Sequence, residues 1–370
     1  MMVLSPLNQR RWRNFTANRR AYWSLWLFLF LYGLSLCAEL LANDHPILVK
    51  YDGGYYTPVF KFYPEKAFGG DLRTEAKYTA PEVQCLIVSG GSLDCWDDPE
   101  GIKAEVEAKG TAAGQPVSQG WMLWPPIPFS YNTIVDTGGV APGDPSKMNW
   151  LGTDDTSRDV LARVIYGFRL SVSFALIVTF FTSIIGIAAG AVQGYFGGLT
   201  DLIFQRVIEL WGSVPMLYFI IIVTAILSKG FWLLIGMMVL FGWTGLVGVV
   251  RAEFLRARNF EYVRAAKALG VPDRLIMFRH LLPNAMVATL TFLPFSVVGT
   301  ISALAGLDYL GFGLPASLPS LGQLSRQAQQ NLQAPHLAFT AFFTFAIMLS
   351  LLVFIFEGVR DAFDPRKTFR

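Results

Sequence analysis

The chain has 370 residues, of which 53% are hydrophobic and only 15% are charged, and its mean hydropathy is +0.43. A soluble domain of this length carries about 25% charged residues, so the composition excludes an ordinary soluble protein and predicts a membrane protein. Three cysteines are too few for a disulfide scaffold, and three histidines are too scattered for a metal site. The net charge of +3 carries little information, because the charges are sorted along the chain.

Six segments are apolar enough to predict transmembrane helices, since a spanning helix needs roughly 20 apolar residues. The first comprises residues 21–38 and carries no charge; it continues to Leu41 with Glu39 as its only charged residue. The other five contain no Asp, Glu, Lys or Arg: 170–193, 210–228, 230–250, 285–307 and 337–356. The sequence therefore predicts an all-α polytopic membrane protein with six transmembrane helices.

The distribution of basic residues predicts the direction of these helices, because Lys and Arg accumulate on the cytoplasmic side. Residues 1–20 contain five arginines and no acidic residue, and the connection 251–284 contains seven basic and three acidic residues. Residues 42–160 contain nine basic and seventeen acidic residues. With six transmembrane helices, residues 1–20 and the connection 251–284 lie on one side of the membrane and residues 42–160 lie on the other. We therefore expect both termini in the cytoplasm. The basic residues near the C-terminus then also lie in the cytoplasm: Arg360, Arg366, Lys367 and Arg370.

Residues 1–20 are predicted to form a basic amphipathic lead-in. Trp12 and Phe15 can enter the membrane interface while the arginines contact anionic headgroups. A charge cluster that only fixes the topology is the alternative, and the two interpretations are compatible. A basic flank before an apolar stretch also suggests a cleaved signal peptide. Leu40 stands where a small residue would be needed, so we expect an uncleaved first transmembrane helix over 21–41.

Residues 42–160 form an insert that the charge distribution places on the side of the membrane opposite to the cytoplasm. The insert is rich in Gly, Pro and aromatic residues, which favours a small ordered domain of short strands and turns. Cys85 and Cys95 flank a Ser-Gly-Gly-Ser sequence that could turn a hairpin. In an oxidising compartment these two cysteines could form a disulfide, and two free thiols are the alternative.

The five later helices are expected to form one core domain over 161–370. Its first helix and the exit from it carry glycines at a four-residue spacing: Gly186, Gly190, Gly194 and Gly198. Small residues at this spacing let two helix backbones pack closely in lipid. Pro215 and Pro294 lie within two later spans, where each proline frees a backbone carbonyl and predicts a kink.

The connection 251–284 has the most informative sequence of the chain, EYVRAAKALGVPDRLIMFRHLLPNA. Its first half predicts an amphipathic helix with three residues on one face: Tyr262, Ala266 and Leu269. Gly270 stands where a left-handed cap would end this helix, and Pro272 suits the first turn of a second short helix. Two short helices at a near-right angle would present small residues to a cytosolic partner: Ala265, Ala266 and Gly270.

This loop resembles the coupling-loop signature of permeases in binding-protein-dependent ABC importers. Two alanines and Gly270 of the signature are followed thirteen residues later by Pro283 within HLLPN. Arg264 stands where the signature usually has Glu, a substitution that is common in the peptide-transporting branch. The lead-in RRWRNFTANRRAYWSLW is similar to the second, C-type permease subunit of that branch.

Three further segments resemble the same branch in the same order: WLGTDDTSRDVLARVIYGFRLS at 150–171, LDYLGFGLPASLPSLGQL at 307–324 and EGVRDAFDPR at 357–366. Ser157 departs from the pattern, because the family usually has Gly there. The insert sequences NDHPILVKYDGG and WMLWPPIPF resemble the subgroup that imports peptides and the peptide–nucleotide antibiotic microcin C.

The resemblance implies a permease of a peptide or nickel importer in the bacterial inner membrane, with the insert in the periplasm. Its partners would be a second homologous permease, cytosolic ABC ATPases, a periplasmic substrate-binding protein and membrane lipid. ATP and Mg would bind to the ATPases, and this chain would carry no cofactor. The coupling loop 251–284 would transmit ATP-driven motion through these residues: Tyr262, Arg264, Ala265, Ala266, Leu269, Gly270, Leu282, Pro283 and Asn284.

The sequence has no G-x-x-x-x-G-K-[ST] phosphate loop and no G-x-S-x-G nucleophile motif, so we expect a non-catalytic subunit without a nucleic-acid partner. An ion-gradient-driven secondary transporter of small solutes is the main alternative, but such proteins keep ionisable residues inside the membrane. The acidic residues nearest the spans all lie at span ends: Glu39, Glu209, Asp308 and Glu357. A membrane-anchored receptor built on the insert is a second alternative, which leaves the five later spans unexplained.

Overall fold

The structure is a computed structural model that describes residues 6–91, 95–112, 115–116 and 119–363. Within these ranges the chain divides into two compact units. The first, named here the helical unit, comprises residues 6–32, 167–330 and 338–363. The second, named here the insert unit, comprises residues 33–166 and 331–337 without the undescribed positions.

Helices account for most of the described chain. The helices before and within the insert are α1 Pro6–Ala17, α2 Arg19–Leu36, α3 Ala38–Leu41, α4 Pro81–Val88 and α5 Pro99–Lys109. The later helices are α6 Val160–Phe196, α7 Gly198–Gly212, α8 Met216–Ile226, α9 Phe231–Gly242, α10 Thr244–Ala257, α11 Glu261–Ala268, α12 Asp273–Leu275, α13 Leu282–Tyr309, α14 Leu321–Gln330 and α15 Pro335–Phe363. A π-helical turn, Ile276–Leu281, joins α12 to α13.

Four helical segments of the described chain are long and apolar enough to cross a membrane. They are α6 Val160–Phe196, α9 and α10 together as Phe231–Ala257, the part Thr289–Tyr309 of α13, and α15 Pro335–Phe363. A fifth crossing results if α7 and α8 together count as one bent span. The predicted first span, α2, is helical but is not among the four, because two arginines and several Trp and Tyr side chains lower its hydropathy. The chain is thus a mostly helical membrane protein with four to five candidate spans.

The predicted span 210–228 is interrupted near Pro215, where the sequence predicts a kink. α7 ends at Gly212, α8 begins at Met216, and their axes differ by 63°. Pro215 immediately precedes α8, and a proline without an N–H cannot continue the hydrogen-bond ladder of the preceding helix. Pro294, in contrast, lies inside the continuous helix α13.

The glycine spacing of α6 produces the close helix packing that the sequence predicts. A Cβ atom on Gly186 would lie 2.6 Å from the carbonyl oxygen of Trp243, and one on Gly190 would lie 2.7 Å from that of Val247. A Cβ on Gly194 would lie 2.5 Å from the Cβ of Phe254. The three glycines therefore let α6 touch the backbone of α10, and any side chain there would force the two helices apart.

The insert unit contains strands as well as helices, so the prediction of an all-α chain is wrong for this part. A three-stranded antiparallel sheet has the order β2–β1–β5, from Gly54–Tyr56, Leu48–Tyr51 and Trp121–Leu123. Thr111–Ala112 and Gln115–Pro116 form a second short antiparallel pair, β3 and β4. These elements fulfil the prediction that Gly, Pro and aromatic residues favour short strands in the insert.

Aromatic rings fill the core of the insert unit, as the composition predicts. Phe68 is fully buried and lies 5.3–5.7 Å, between ring centroids, from Tyr51, Tyr56 and Tyr78. Edge-to-face contacts of this kind add to the free energy gained from burying the rings.

The structure pairs Cys85 with Cys95 as a disulfide, with their Cα atoms 5.8 Å apart. The predicted hairpin between them is wrong at its start, because Cys85 belongs to helix α4 and a turn through Gly90 and Gly91 follows. Residues 92–94, the rest of that predicted hairpin, lie outside the described residues.

The segment 150–163 holds a buried charge network of the insert unit. The Asp154 carboxylate is fully buried and accepts hydrogen bonds from Nε and Nη2 of Arg158, at 2.9 and 2.8 Å. Nε of Arg163, also buried, lies 3.4 Å from the same carboxylate. Burial raises the pKa of Asp154, but hydrogen bonds from Arg158 and the charges of both arginines outweigh it, so the pKa lies below its ordinary value.

Candidate functional site

The candidate site is the connection 258–284 between α10 and α13, within the helical unit. α11 begins after Phe260, with Glu261 in its first turn and Lys267 in its last, as the helix dipole favours. Gly270, with φ of +75°, ends this helix. Its N–H donates to the carbonyl of Lys267 at 3.0 Å, and the N–H of Val271 donates to that of Ala266 at 3.1 Å. This is a Schellman cap, so the predicted left-handed cap at Gly270 is confirmed.

The predicted second helix begins where expected, at Asp273 after Pro272, but its expected end in the loop is wrong. α12 continues through the π-helical turn directly into α13. Pro283 lies in the first turn of α13, directly after the π-helical turn. The loop therefore consists of one isolated helix, α11, followed by a connection that is continuous with a candidate span.

Val263 anchors α11 to the rest of the helical unit. Its side chain is fully buried in a cluster with residues from α6, α10, the π-helical turn and α13: Tyr195, Val250, Phe254, Ala257, Ile276, Leu281 and Ala285. Ala266, on the same side of the helix, packs against this cluster, as does Leu282. α11 therefore shares one packed cluster with α6, α10 and α13.

Tyr195, at the end of α6, holds the loop through polar contacts. Its hydroxyl donates a hydrogen bond to the carboxylate of Asp273. Nζ of Lys267 lies 4.5 Å from the centre of the Tyr195 ring, and Nη1 of Arg258 donates to the Tyr195 carbonyl at 3.4 Å. The sequence reasoning missed Tyr195, since nothing in a single sequence connects it to residues more than 60 positions away.

Asn284 joins the two ends of the loop, and the sequence predicts a structural role for it. Its Nδ2 donates to the hydroxyl of Tyr262 at 3.3 Å and to the carbonyl of His280 at 3.1 Å. The first contact connects α11 to the first turn of α13, so Tyr262 and Asn284 act together in fixing the angle of α11.

The outer face of α11 is exposed and carries apolar, small and charged side chains. Leu269 is 84% exposed and Tyr262 is 41% exposed. Arg264, Ala265 and Gly270 are also exposed, and a Cβ placed on Gly270 would meet nothing within 4 Å. The predicted apolar face thus divides: Ala266 packs inward, while Leu269 and Tyr262 remain at the surface.

The loop places the exposed Leu269 beside small and basic side chains. Among the described residues no group of three or more His, Cys, Asp or Glu side chains is arranged to hold a metal ion. An exposed leucine beside small and basic residues is typical of a surface that binds another protein, because a large apolar side chain gains free energy when a partner covers it.

Comparison with known proteins agrees with this geometry. Residues 183–369 match the family described as binding-protein-dependent transport system inner membrane component. Residues 5–57 match the N-terminal TM domain of oligopeptide transport permease C. The first match covers the glycine contacts of α6, the whole candidate loop and α15.

Curated relatives extend the similarity over the whole chain. The inner membrane ABC transporter permease protein YejE of Escherichia coli is 53% identical over 99% of this chain and 99% of its own length. The peptidoglycan transport system permease protein YejE of Agrobacterium fabrum is 52% identical, over 99% of this chain and 95% of its own. The oligopeptide transport system permease protein OppC of Bacillus subtilis is 35% identical over 60% of this chain and 73% of its own. The chain therefore belongs to the binding-protein-dependent transport system inner membrane components, and it is a multi-pass, non-catalytic permease subunit of an ABC transporter in the inner membrane.

Proposed function

We propose that this chain imports peptides as one of two permease subunits, and that α11 is the helix on which a cytosolic ATPase docks. The observation that carries the proposal is the exposed outer face of α11, with Leu269 at its end. Leu269 lies outside the candidate spans and is 84% exposed, so its side chain contributes little to the packing of its own chain. It gains free energy only when another molecule covers it.

The contacts beneath α11 explain how docking could move the spans. Val263 is buried against four elements, and Asn284 bonds to Tyr262 on α11. Close-packed side chains transmit displacement because they leave no empty volume to absorb it. A push on α11 would therefore shift the ends of α6, α10 and α13 together, as in the rigid-body transitions of other switching proteins.

The partners follow from the family. A second, homologous permease would complete the translocation path, and a periplasmic binding protein would deliver the substrate. ATP and Mg would be bound by the ATPase subunits. The predicted coupling residues that lie inward, Ala266 and Leu282, would transmit motion, and those at the surface would contact the ATPase: Tyr262, Arg264, Ala265, Leu269 and Gly270.

Peptides are the substrate class that the relatives support. One relative is an oligopeptide permease and another is a permease of a peptidoglycan transport system, and peptidoglycan contains short peptides. Import of the peptide–nucleotide microcin C is the finer proposal, which rests on the insert sequences NDHPILVKYDGG and WMLWPPIPF.

A six-span topology is part of the proposal. The four candidate spans, the bent pair α7 and α8, and α2 together give six crossings, which return the C-terminus to the side of the N-terminus. The basic residues of 1–20 and of the candidate loop then share the cytoplasmic side. The domain bounds 21–41, 42–160 and 161–370 remain predictions, as does the periplasmic location of the insert.

The test is to isolate the tagged chain from membranes in a mild detergent and to measure which proteins accompany it. We expect a second permease and an ATPase that hydrolyses ATP, with hydrolysis stimulated by the binding protein loaded with a tripeptide. Uptake of a labelled tripeptide should stop when ATP is depleted and should persist when an uncoupler collapses the proton gradient. Uptake that follows the proton gradient instead would support the secondary transporter and refute the proposal.

A further inference from the structure

A groove in the helical unit lies away from the candidate loop and has no role in the proposed coupling. It has a volume of about 350 Å³ and lies between α1, α2 and α15. Its walls are apolar side chains: Trp12, Phe15, Leu25, Val359, Ala362 and Phe363. Clefts of this size are large enough to bind a small organic ligand.

The walls of the groove are held in place by close packing at one corner. Phe15, Ala21 and Ala362 are buried together, and Trp12 stacks on Phe15 with 5.7 Å between ring centres. A Cβ on Gly358 would lie only 2.2 Å from the Cβ of Ala21, so this glycine lets α15 touch the start of α2. The groove is therefore a consequence of a fixed contact between the N-terminal helices and α15.

One edge of the groove is basic, because Arg11 is among the residues that line it. The guanidinium carbon of Arg11 lies 4.5 Å from the centre of the Phe363 ring. Arg10 and Arg13 are exposed on the same helix, and residues 1–20 contain no acidic side chain. Trp12, 48% exposed, lies between these arginines in the sequence, as is usual for helices that rest in the membrane interface. The groove thus combines an apolar interior with a positive edge.

We propose that this groove binds one acyl chain of an anionic phospholipid, whose phosphate is held by the arginines of α1. An anionic lipid matches both parts of the site, since its chain is apolar and its headgroup is negative. A second protein segment fits less well, because Arg11 and Trp12 are the hydrogen-bonding side chains among the residues that line the groove, and an irregular backbone placed there would need more such partners. The bound lipid would fasten α1 against α15.

The experiment uses the full chain, isolated in detergent and titrated with phosphatidylglycerol or with phosphatidylethanolamine of the same acyl chains. Native mass spectrometry counts the bound lipids. We expect one phosphatidylglycerol that binds about tenfold more tightly than phosphatidylethanolamine, because several basic residues each favour the anionic headgroup. Val359→Trp, which fills the groove, should abolish this one site. Arg11→Gln combined with the neighbouring Arg10→Gln should weaken it about tenfold and remove the headgroup preference.

Lys61→Gln combined with Lys109→Gln is the matched control, since both lysines are exposed in the insert unit and the same charge is lost. It should bind as the unmodified chain does. A phosphatidylglycerol that carries a photoreactive acyl chain gives a second measurement on the unmodified chain, which does not depend on any variant folding. Its cross-links should map to α1 and to the end of α15. Equal binding of both lipids, or cross-links elsewhere, would overturn the proposal.

Discussion

Two segments that both resemble family motifs use their residues in opposite ways. Segment 150–163 of the insert unit buries its charges: Asp154 is fully buried and is bound by two arginines. The loop 258–284 of the helical unit exposes apolar and small residues, with Leu269 84% exposed. One motif turns its polar groups inward, and the other turns an apolar group outward.

The difference separates a motif that builds the fold from a motif whose surface we propose as a docking site. Buried ionised groups need each other, because a charge that loses its partner stays away from water at a high cost in free energy. An exposed leucine contributes little to its own chain, so its value depends on what covers it. Similarity to a family marks both segments, whereas burial separates a structural role from an interaction role.

Replacing Asp154 is the strongest test of the structural role. Asp154→Asn keeps the size of the side chain and removes its charge, which leaves Arg158 and Arg163 buried without their counter-ion. Breaking a buried ion pair in this way costs about 3–5 kcal/mol. We expect a large fall in the amount of folded protein in membranes and in the melting temperature of the detergent-solubilised chain.

Asp144→Asn is the control, because the Asp144 side chain is 92% exposed. This variant should melt as the unmodified protein does. If Asp154→Asn also melted unchanged, the network would have no structural role, and the contrast between the two segments would fail.

Reducing the Cys85–Cys95 pair should destabilise the insert unit next most strongly. A disulfide that closes a loop of about ten residues contributes about 2–3 kcal/mol by restricting the unfolded chain. Thiol labelling under denaturing conditions should detect one reactive cysteine, Cys37, before reduction and all three afterwards. Three labelled thiols without reductant would show that the pair is free in the isolated protein.

Leu269→Asp tests the interaction role in the other segment. The substitution places a charge on the proposed docking face and removes no contact that supports the fold of its own chain. Central interface residues contribute about 1–3 kcal/mol, so we expect ATPase binding and peptide uptake to fall roughly tenfold or more. The amount of the chain in the membrane should not change.

Leu332→Asp is the matched control, since Leu332 is 83% exposed in the insert unit and receives the same charge. Normal ATPase binding by Leu269→Asp at normal abundance would remove α11 as the docking helix. A similar loss in both variants would indicate a general effect of the added charge.

The sequence predicts the parts of this molecule that depend on periodicity and local backbone chemistry. The close packing at Gly186, Gly190 and Gly194 and the left-handed cap at Gly270 follow from residue type and spacing, and the structure has both. The position of α11 also follows from its amphipathic pattern. These features are local or repeat along one helix, so a single sequence carries them.

Other features depend on partners that are distant in the chain, and the sequence could not supply them. Tyr195 meets Asp273 across 78 positions, and Val263 is buried only because several helices converge on it. The bend at Pro215 was predicted as a kink, yet its size of 63° and the resulting break of the span depend on tertiary packing. The continuation of α12 into α13 was missed because the basic residues Arg279 and His280 suggest the last turn of a short helix.

Ser157 offers a smaller test within the buried segment, at the position where the family usually has Gly. Its φ is +57°, a left-handed conformation that costs a residue with a Cβ about 1–2 kcal/mol. Ser157→Gly should relieve this strain, partly offset by the greater freedom of glycine in the unfolded chain. We expect a net gain of about 0.5–1 kcal/mol, measured as a higher melting temperature. Ser157→Ala keeps the Cβ and should give no such gain; equal effects would mean that strain is not the cause.

The smallest expected effect concerns a partly exposed charge cluster. Its burial is intermediate between that of the Asp154 network and that of Leu269. Nδ1 of His45 lies 2.9 Å from the Asp44 carboxylate, and Nε2 lies 3.3 Å from that of Glu75. The hydrogen bond to Asp44 and both negative charges raise the pKa of His45 above its ordinary value, although burial opposes them.

Because the folded state raises this pKa, it favours the protonated imidazole. The stabilisation is complete below the unfolded pKa of about 6.5 and is lost as the pH rises through the folded pKa. Between pH 6 and pH 8 the chain should lose about 0.5 kcal/mol more stability than His45→Gln does, a size typical of partly exposed ion pairs. Parallel melting curves of the two proteins across this range would show that the cluster contributes nothing. A larger difference would indicate that the His45 cluster stabilises the fold as strongly as a buried charge network such as that of 150–163.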